Sequence, residues 1–376
     1  MSRAGRAPLE ERWARLVEDP TSGPGAYLAR AALAALSLPY RLGLEANLAL
    51  YDWRLQARTA PALPVISVGN LSLGGTGKST TVTYLARRLL ERGLPPGVVT
   101  RGYGRRSGES VLLANAPGDP PPDPAWAGDE PAMLARLLPG VPLAVSKRRE
   151  QALRLLAERT AARVALLDDG FQYFRMARTV DLVLLDASRA GRDERLFPAG
   201  YLREPWSHLR RADQVWLTHT DRASPEALAR LRALVGRYCR APEPVLTRHR
   251  LTALRGPTGE RRAPEQLSGR RALAVSALGN PASFEDSLRA AGAELSPLRY
   301  PDHHAYTADD LDDIARAQAL HGAEIVVLTE KDAVKLPVPL PFEAWVAECE
   351  LEILSGSEQV EALLETVLRT AAQSGL

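Results

Sequence analysis

The chain has few cysteines, little net charge and no long apolar run, and each shortage excludes a class of protein. Its 376 residues contain two cysteines, Cys239 and Cys349, whose spacing does not resemble a metal site and which suit a reducing compartment. A net charge of +3, without a basic patch interleaved with aromatics, gives no argument for nucleic acid. No apolar segment near the start has the character of a secretory signal, so we expect none.

Lysine is scarce as well. Of the 48 basic residues, four are lysines: Lys78, Lys147, Lys331 and Lys335. Arginine is therefore the default cation, and a lysine marks a place where arginine does not serve. Lys78 fits this idea best, because it lies in a glycine-rich turn where a slim point charge is useful.

The chain is organised around residues 67–81, SVGNLSLGGTGKSTT. An apolar run over residues 63–68 precedes this stretch and has the composition of a buried strand. Apolar residues recur at helical spacing after it: Val82, Leu85, Ala86, Leu89 and Leu90. Strand, glycine-rich turn and helix together form the setting of a phosphate-binding loop.

Each position of this loop has a predicted role. The glycines let the backbone bend tightly and point its N–H groups at an anion, Lys78 reaches the β- and γ-phosphates, and Ser79 holds Mg²⁺. The predicted nucleotide-binding residues are Gly74, Gly75, Thr76, Gly77, Lys78, Ser79 and Thr80. The alternative is a glycine-rich turn without a ligand, and Ser72 stands where the usual pattern has glycine.

A second apolar strand ends in paired carboxylates, within residues 162–170. In phosphate-loop proteins an aspartate at the tip of a neighbouring strand binds the Mg²⁺ that bridges the β- and γ-phosphates. We assign this role to Asp168 and predict that Asp169 supports the metal or acts as an acid or base. A plain turn at the strand end is the alternative.

Two further polar segments are candidates for the site. Residues 101–106 follow a predicted strand over 94–100, at the end of the sheet where α/β proteins bind ligands. Asp129 and Glu130 precede a predicted helix over 132–138, and on the sequence alone capping that helix is the simpler account.

Strands and helices alternate from residue 63 to 218, which predicts a mostly parallel sheet with helices on both faces. Over residues 240–270 the sequence pattern changes to short extended runs with Pro and Arg, and we predict a linker there. A smaller α/β unit follows, with strands at 272–275 and 325–328. It carries adjacent histidines, His303 and His304, but no third ligand at the spacing of a zinc site.

Residues 31–40 and 42–53 are apolar and read as two short helices. Neither is long enough to cross about 30 Å of hydrocarbon. Arginines at their ends and aromatics at their edges suit a membrane interface, and packing on the core as a helical hairpin suits them equally. The predicted domains are 1–58 with these helices, 59–245 as the phosphate-loop core, and 246–376 as the smaller α/β unit.

With these motifs in order, the sequence resembles the tetraacyldisaccharide 4′-kinase family, the lipid A 4′-kinases of Gram-negative bacteria. The resemblance spans most of the chain and is carried by residues 68–78, 101–104, 128–131, 167–172, 198–205, 301–304 and 329–332. It implies a phosphate-loop domain with a smaller C-terminal domain and an N-terminal apolar helix that engages the bilayer.

The resemblance also implies an activity. Members use MgATP to phosphorylate the 4′-hydroxyl of an acylated glucosamine disaccharide 1-phosphate at the cytoplasmic face of the inner membrane. The implied cofactors are ATP and Mg²⁺, the implied partners are the acylated disaccharide and the membrane surface, and no obligate protein partner is implied.

Residue roles follow from the matching motifs. The resemblance implies that Asp129 acts as base, paired with His303 from the other domain, so that the hydroxyl loses its proton only when the domains close. Other positions are implied to line the active site: Arg101, Tyr103, Glu130, Arg203 and Glu204.

The chain departs from the family pattern in two places. Tyr173 stands where the family commonly has His, which puts any role of that His in doubt here. Ser79, Thr80 and Thr81 replace the more usual Thr-Pro after the lysine and keep a hydroxyl. The loop also resembles that of ParA/MinD-like switch ATPases, but those carry a lysine where this chain has Leu73.

Overall fold

The structure is a computed structural model that describes residues 9–18, 23–103, 105–191, 194–241, 243–302, 304–337 and 340–374. His303 and Gly104, which belong to the predicted site motifs, lie outside the described residues.

The described strands form a single 13-stranded sheet. The strands are β1 Val65–Asn70, β2 Pro96–Thr100, β3 Leu112–Ala114, β4 Leu143–Val145, β5 Val164–Asp168, β6 Val180–Asp186, β7 Gln214–Thr218, β8 Val245–Arg255, β9 Arg261–Arg262, β10 Arg271–Ser276, β11 Glu294–Arg299, β12 Ile325–Thr329 and β13 Ala344–Ser355. Their order across the sheet is β11-β10-β12-β13-β8-β7-β6-β1-β5-β2-β4-β3, and β9 pairs with β8.

Helices connect these strands and cover the sheet. The α-helices are α1 Leu9–Glu18, α2 Pro24–Asp52, α3 Lys78–Glu91, α4 Pro124–Ala127, α5 Asp129–Leu137, α6 Arg149–Arg159, α7 Pro225–Tyr238, α8 Pro281–Ala290, α9 Ala308–Leu320, α10 Glu330–Ala333 and α11 Ser357–Gln373. Short 3-10 helices occupy Ala187–Arg189, Trp206–Arg211, Thr220–Arg222 and Pro264–Leu267.

Strand β1 shows why both faces of the sheet are covered. All six of its residues are buried. Ile66 packs in one core cluster with Val82 of α3, whereas the neighbouring Val65 packs on the other face with Leu153 of α6. Because successive side chains of a strand point to opposite faces, a fully apolar strand needs helices on both sides. The predicted α/β class with helices on both faces is therefore confirmed.

The sheet order places the ends of three strands around the turn that follows β1. Strand β1 pairs in parallel with β5 on one side and with β6 on the other, and β6 pairs in parallel with β7. The carboxyl ends of parallel strands meet at one edge of the sheet, where α/β proteins bind ligands. The glycine-rich loop thus lies between the ends of β5 and β6.

The linker predicted over 240–270 is wrong. The long strand β8, Val245–Arg255, lies within that stretch and pairs in parallel with β7 and antiparallel with β13. The Pro and Arg residues of this stretch suggested an exposed connection. In the structure, side chains of β8 such as Thr247 are fully buried against a face of the sheet. The sheet consequently continues across residue 245, and the division into domains at that point stays a prediction.

The two short N-terminal helices predicted over 31–53 are instead one helix, α2, of 29 residues with Pro39 inside it. A proline interrupts the hydrogen-bond ladder and usually kinks or ends a helix, which is why the sequence suggested a break. The same residues nevertheless continue in helical conformation on both sides of Pro39. Among the described residues, no helix combines the length and apolarity needed to cross a membrane.

Helix α2 is held against the segment 195–203 by polar contacts. Ser37 Oγ donates to the carbonyl of Leu196 at 3.0 Å, and the Tyr40 hydroxyl donates to the carbonyl of Arg203 at 2.9 Å. The Tyr40 ring also meets Phe197 edge to face, with centroids 5.6 Å apart. Helix α2 therefore packs on the segment that carries Arg203, while several of its large apolar side chains stay exposed.

Candidate active site

The loop after β1 has the conformation of a phosphate-binding loop. Gly74 and Gly77 have positive φ values of 102° and 82°, which non-glycine residues rarely adopt. Gly77 caps helix α3, so the helix begins at Lys78 and its first N–H groups face the loop. Asn70 Nδ2 donates to Thr76 Oγ1 at 3.0 Å and fixes the loop from within. A helix N-terminus with free N–H groups in a glycine-rich turn is an anion site.

A carboxylate at the tip of β5 holds two cations beside the loop. Asp169 Oδ1 lies 3.6 Å from Lys78 Nζ and 2.9 Å from Arg203 Nη1. Burial alone would raise the pKa of Asp169, but the charges of Lys78 and Arg203 outweigh it and lower the pKa to about 2. Asp169 is therefore anionic and positions the side chain of Lys78, the residue predicted to reach the phosphates.

Asp168 differs from Asp169 because one of its two carboxylate oxygens lacks a hydrogen-bond partner among the described residues. The side chain is buried, and its Oδ2 accepts a hydrogen bond from Thr100 Oγ1 at 3.3 Å. Its Oδ1 is buried and has no hydrogen-bond partner among the described residues. Burial, reinforced by the charge of Glu130, raises the pKa of Asp168 to about 8. A buried oxygen without a donor fits a divalent cation, which would keep the carboxylate ionised.

A cleft of about 360 Å³ opens over the loop. The nucleotide-binding residues predicted from the sequence line it together, from Gly74 to Thr80, and Glu130 of helix α5 lines it from the opposite side. Strand β12 and helix α10 contribute Thr329 and Lys331, so the smaller C-terminal unit also faces the cleft.

Two segments predicted for the substrate side are brought into contact. A Cβ placed on Gly128 would lie 2.8 Å from the carbonyl oxygen of Tyr103, so only glycine allows this approach. Asp129 and Glu130 follow Gly128 directly and form the first turn of α5. Gly128 occupies the N-cap position, so neither carboxylate is the cap itself, although acidic side chains in the first turn also stabilise a helix. Arg101 and the side chain of Tyr103 are exposed beside them.

Glu204 does not line an open site as the resemblance implied, because it is fully buried. Its carboxylate accepts hydrogen bonds from Gln172 Nε2 at 2.9 Å and Arg211 Nη2 at 2.5 Å, and it lies 2.6 Å from His208 Nδ1. These partners use both of its oxygens. Glu204 therefore fixes its own segment of chain. The residue before it, Arg203, contacts Asp169.

The predicted partner of Asp129, His303, is outside the described residues, but the residues around it face the loop. Lys331 Nζ lies 2.8 Å from Asp302 Oδ1. A Cβ placed on Gly279 would lie 3.2 Å from Asp302 Oδ2 and 3.6 Å from the backbone nitrogen of Gly75. The C-terminal unit thus approaches the phosphate-binding loop through the segment that precedes α8.

Sequence reasoning missed Arg149, the first residue of α6. Its side chain is buried, its guanidinium lies 4.9 Å from the ring centroid of Tyr173, and the charges of Asp168 and Asp169 act on it. Burial and the charge of Arg101 lower the pKa of Arg149. The only signal in the sequence was its place at the end of a short basic run that follows an apolar segment, Leu143–Val145. Tyr173 itself donates its hydroxyl proton to Glu150.

Sequence reasoning also missed three residues on the side of β1 opposite β5: Asp186, His219 and His249. Asp186 ends β6, His219 follows β7 and His249 lies within β8. His219 Nδ1 lies 3.1 Å from Asp186 Oδ1, and His219 Nε2 lies 3.1 Å from His249 Nδ1. Both histidines line the cleft over the loop. They are separated by long stretches of sequence, so no local motif connected them.

The fold and the glycine-rich loop at the start of α3 define a phosphate-loop protein, the class that binds nucleoside triphosphates. The family model for tetraacyldisaccharide-1-P 4′-kinase (LpxK) matches residues 29–369. The chain belongs to the tetraacyldisaccharide 4′-kinase family, and it is accordingly a kinase that phosphorylates a sugar hydroxyl.

Individual relatives cover nearly the whole chain. It is 43% identical to the tetraacyldisaccharide 4′-kinase of Anaeromyxobacter dehalogenans strain 2CP-C over 95% of this chain and 94% of that one. It is 41% identical to that of Anaeromyxobacter sp. strain K over 97% of each. A crystal structure of the "apo" form of LpxK from Aquifex aeolicus in complex with ATP is similar, with a TM-score of 0.72 and 27% identity over 90% of this chain and 99% of that one.

The buried anchor Glu204 gives a prediction about stability. Burial would raise the pKa of Glu204, but His208 and Arg211 outweigh it and lower the pKa below the usual 4.5. A lowered folded-state pKa contributes stability that is present above about 4.5 and is lost as the pH falls through the folded value. Glu204→Gln, which leaves Arg211 buried without its counter-charge, should therefore lower the free energy of unfolding at pH 7 by roughly 3 kcal/mol.

Urea unfolding of the wild type and of Glu204→Gln, from pH 7 down to pH 3.5, measures the difference in their free energies of unfolding. This difference should become smaller below about pH 4.5. Glu158→Gln, on the exposed surface of α6, is the matched control and should change little. A Glu204→Gln protein as stable as the control at pH 7 would contradict the anchoring role.

Proposed function

We propose that the chain transfers the γ-phosphoryl group of ATP to the 4′-hydroxyl of tetraacyldisaccharide 1-phosphate, with the phosphate-binding loop and the carboxylates of β5 and α5 as its machinery. The observation that carries this proposal is the pairing of a phosphate-binding loop with a buried carboxylate oxygen, Asp168 Oδ1, that has no partner among the described residues. This combination suits MgATP better than any other ligand considered.

The nucleotide end of the reaction is assigned to the loop. The backbone N–H groups of residues 74–78 and the first turn of α3 hold the β- and γ-phosphates, and Lys78 contacts the transferred group. The Aquifex aeolicus relative, whose structure was determined in complex with ATP, supports this assignment. Asp169 pairs with both Lys78 and Arg203, and this pairing positions Lys78 for the γ-phosphate.

Ser79 and Asp168 are the residues that would hold Mg²⁺. Held there, the metal would supply positive charge that stabilises the phosphate oxygens during transfer. Asp168 rather than Asp169 is assigned to the metal, because both oxygens of Asp169 already accept from Arg203, at 2.9 and 3.2 Å, whereas Asp168 Oδ1 has no partner within the described residues.

Asp129 is assigned as the base that takes the proton of the 4′-hydroxyl, with His303 as its partner. It lies at the start of α5, beside Glu130, which lines the cleft over the loop. A sugar hydroxyl is a weak nucleophile, and a positioned carboxylate removes its proton as the phosphoryl group arrives. Arg101 and Tyr103, on either side of Gly102, whose backbone approaches Gly128, are assigned to the disaccharide.

Helix α2 is assigned to the membrane surface, with the active site held beside the acyl chains. Its support is a set of exposed large apolar side chains on or just after the helix: Tyr27, Leu28, Leu36, Leu38, Leu42, Trp53 and Leu55. Exposed leucines and aromatics flanked by arginines favour an interfacial helix over a core helix. We accordingly propose the cytoplasmic face of the inner membrane as the location, with domains over 1–58, 59–245 and 246–376 and no obligate protein partner.

The first test is the transfer reaction. Wild-type protein with ATP, Mg²⁺ and tetraacyldisaccharide 1-phosphate in detergent should form the 4′-phosphorylated product, and Asp129→Ala should lower kcat roughly 100-fold or more, because a positioned base contributes that much. Product formation is followed by transfer of radiolabelled phosphate. Asp312→Ala, on the exposed side of α9, is the control.

An Asp129→Ala protein with nearly wild-type kcat would exclude Asp129 as the base. Wild-type protein that binds ATP and dimerises on it without transferring phosphate would contradict the proposed transfer reaction and favour the activity of a ParA/MinD-like switch ATPase.

The assignment of the metal ligand has its own test. Asp168→Asn keeps the shape of the side chain but removes the charge, so the Mg²⁺ concentration for half-maximal rate should rise roughly ten-fold or more. Asp169→Asn should lower kcat through Lys78 with a smaller change in Mg²⁺ requirement. Titration of the initial rate with Mg²⁺ measures both. The assignment fails if Asp168→Asn leaves the Mg²⁺ dependence unchanged.

The membrane assignment is tested by sedimentation with vesicles of phosphatidylethanolamine and phosphatidylglycerol. Replacing Leu28, Leu38 and Leu42 together by Ser removes exposed apolar area and should weaken vesicle binding at least roughly ten-fold, since each buried leucine contributes on the order of 1 kcal/mol or more. Leu320→Ser, an exposed leucine on α9, is the matched control. Equal binding by the triple variant would exclude α2 as the anchor.

A further inference from the structure

Asp186, His219 and His249 form a cluster of close polar contacts next to the phosphate-binding loop. Asp186 and His219 are almost fully buried. His219 Nδ1 lies 3.1 Å from Asp186 Oδ1, and its Nε2 lies 3.1 Å from His249 Nδ1. The two imidazole rings meet edge to face with centroids 4.4 Å apart. Three polar side chains from three different strands thus form one chain of contacts.

The cluster is held firmly at its inner end. Asp186 Oδ1 also accepts hydrogen bonds from Ser188 N at 3.0 Å and Ser188 Oγ at 2.6 Å, and Asn280 Nδ2 donates to Oδ2 at 3.5 Å. His219 has a φ of 52°, a left-handed conformation that non-glycine residues seldom adopt. Such strain persists where the surroundings fix it, and it is often found at functional sites.

The outer end of the cluster points at the loop. A Cβ placed on Gly77 would lie 2.6 Å from both Nε2 and Cε1 of His249. His249 Nε2 is buried and has no hydrogen-bond partner among the described residues. An unpaired buried nitrogen is costly, so this atom is placed to meet a group that the protein itself does not supply.

The chain of contacts fixes which nitrogens carry protons. The negative charge of Asp186, 3.1 Å from His219 Nδ1, favours the tautomer that carries its proton on Nδ1, which leaves a lone pair at Nε2. His249 then donates from Nδ1 and presents a lone pair at its own Nε2. Burial and the neighbouring His219 lower the pKa of His249 to about 3, which keeps the ring neutral. His249 Nε2 is therefore a hydrogen-bond acceptor.

The cluster lies on the nucleoside side of the loop. Asp168 and Asp169 follow β5, on one side of β1, and they mark the end of the site where the transferred phosphate and metal are assigned. Asp186 follows from β6, on the opposite side of β1. A second cleft of about 1020 Å³ opens there, and it shares His249 with the cleft over the loop. A nucleotide whose γ-phosphate faces β5 directs its nucleoside toward this second cleft.

We propose that His249 accepts a hydrogen bond from a ribose hydroxyl of ATP and that His219 and Asp186 are positioning residues that hold His249 for this contact. The inference rests on the proposed function, because it takes the loop as the ATP site. It adds a determinant of nucleotide specificity: the enzyme selects ribonucleotides over deoxyribonucleotides.

The ribose is favoured over the other parts of ATP by chemistry and distance. Phosphate oxygens only accept hydrogen bonds, so a neutral acceptor gains nothing from them. The amino group of adenine is a donor, but it lies at the far end of the base, whereas His249 lies against Gly77 within the loop. The ribose hydroxyls are the donors nearest to the phosphates.

Kinetics with ATP, 2′-deoxyATP and 3′-deoxyATP test the proposal on the full chain with its sugar acceptor. Loss of one buried hydrogen bond should lower kcat/KM for one of the deoxynucleotides roughly ten-fold in the wild type, mainly through KM. In His249→Phe the ratio of kcat/KM between ATP and that analogue should fall to within about two-fold. Asp186→Asn should reduce the same ratio, because an amide no longer fixes the proton of His219 on Nδ1.

The ratio separates this role from a structural one, since a general loss of folding lowers the rate with every nucleotide alike. His321→Phe, at the exposed end of α9, is the control and should keep the wild-type ratio. Wild-type protein that uses both deoxynucleotides as well as ATP overturns the inference and leaves the kinase function intact. Discrimination that persists in His249→Phe also overturns it.

If the wild type transfers no phosphate, calorimetric binding of ADP against 2′-deoxyADP and 3′-deoxyADP decides the inference separately from the function. A roughly ten-fold weaker affinity for one analogue, lost in His249→Phe, supports it. Equal affinities for all three nucleotides overturn it.

Discussion

The contact on which the rest of the site depends is the pairing of Asp169 with two cations, Lys78 and Arg203. Lys78 belongs to the phosphate-binding loop, Asp169 to the tip of β5, and Arg203 to a segment that runs past both. A carboxylate at the edge of a low-dielectric interior attracts both cations strongly, and its anionic form is favoured by them in return. Without this pairing, Lys78 would have no fixed direction and the segment around Arg203 would lose its contact with the loop.

The same pairing links distant parts of the chain. The Tyr40 hydroxyl of helix α2 donates to the backbone carbonyl of Arg203. The next residue, the buried Glu204, accepts a hydrogen bond from Arg211. The helix assigned to the membrane surface is therefore connected to the loop through one short segment. This connection places the proposed membrane-binding helix close to the proposed phosphoryl-transfer site, which suits a substrate that is part lipid and part sugar phosphate.

The C-terminal unit completes the cleft because the sheet is continuous. Strand β8 pairs with β7 of the phosphate-loop core on one side and with β13 on the other. This pairing brings His249 against Gly77 of the loop and the segment around Gly279 close to Gly75. A nucleotide in the cleft is thus surrounded by both halves of the chain, and residues on either half can determine its affinity.

Local sequence pattern determined the phosphate-binding loop, the strand ending in Asp168 and the α/β class, because each depends on neighbouring residues: apolar runs, glycines at a turn, a carboxylate at a strand tip. Tertiary structure alone decided what those patterns could not express. Helix α2 continues through Pro39 although proline usually interrupts a helix, β8 replaces an expected linker, and Glu204 is buried rather than exposed to substrate. Arg149 reaches the site, and Asp186, His219 and His249 meet, because strands pair across the sheet and bring together residues that are distant along the chain. Pairing of strands is set by long-range packing, and a single sequence carries no local signal for it.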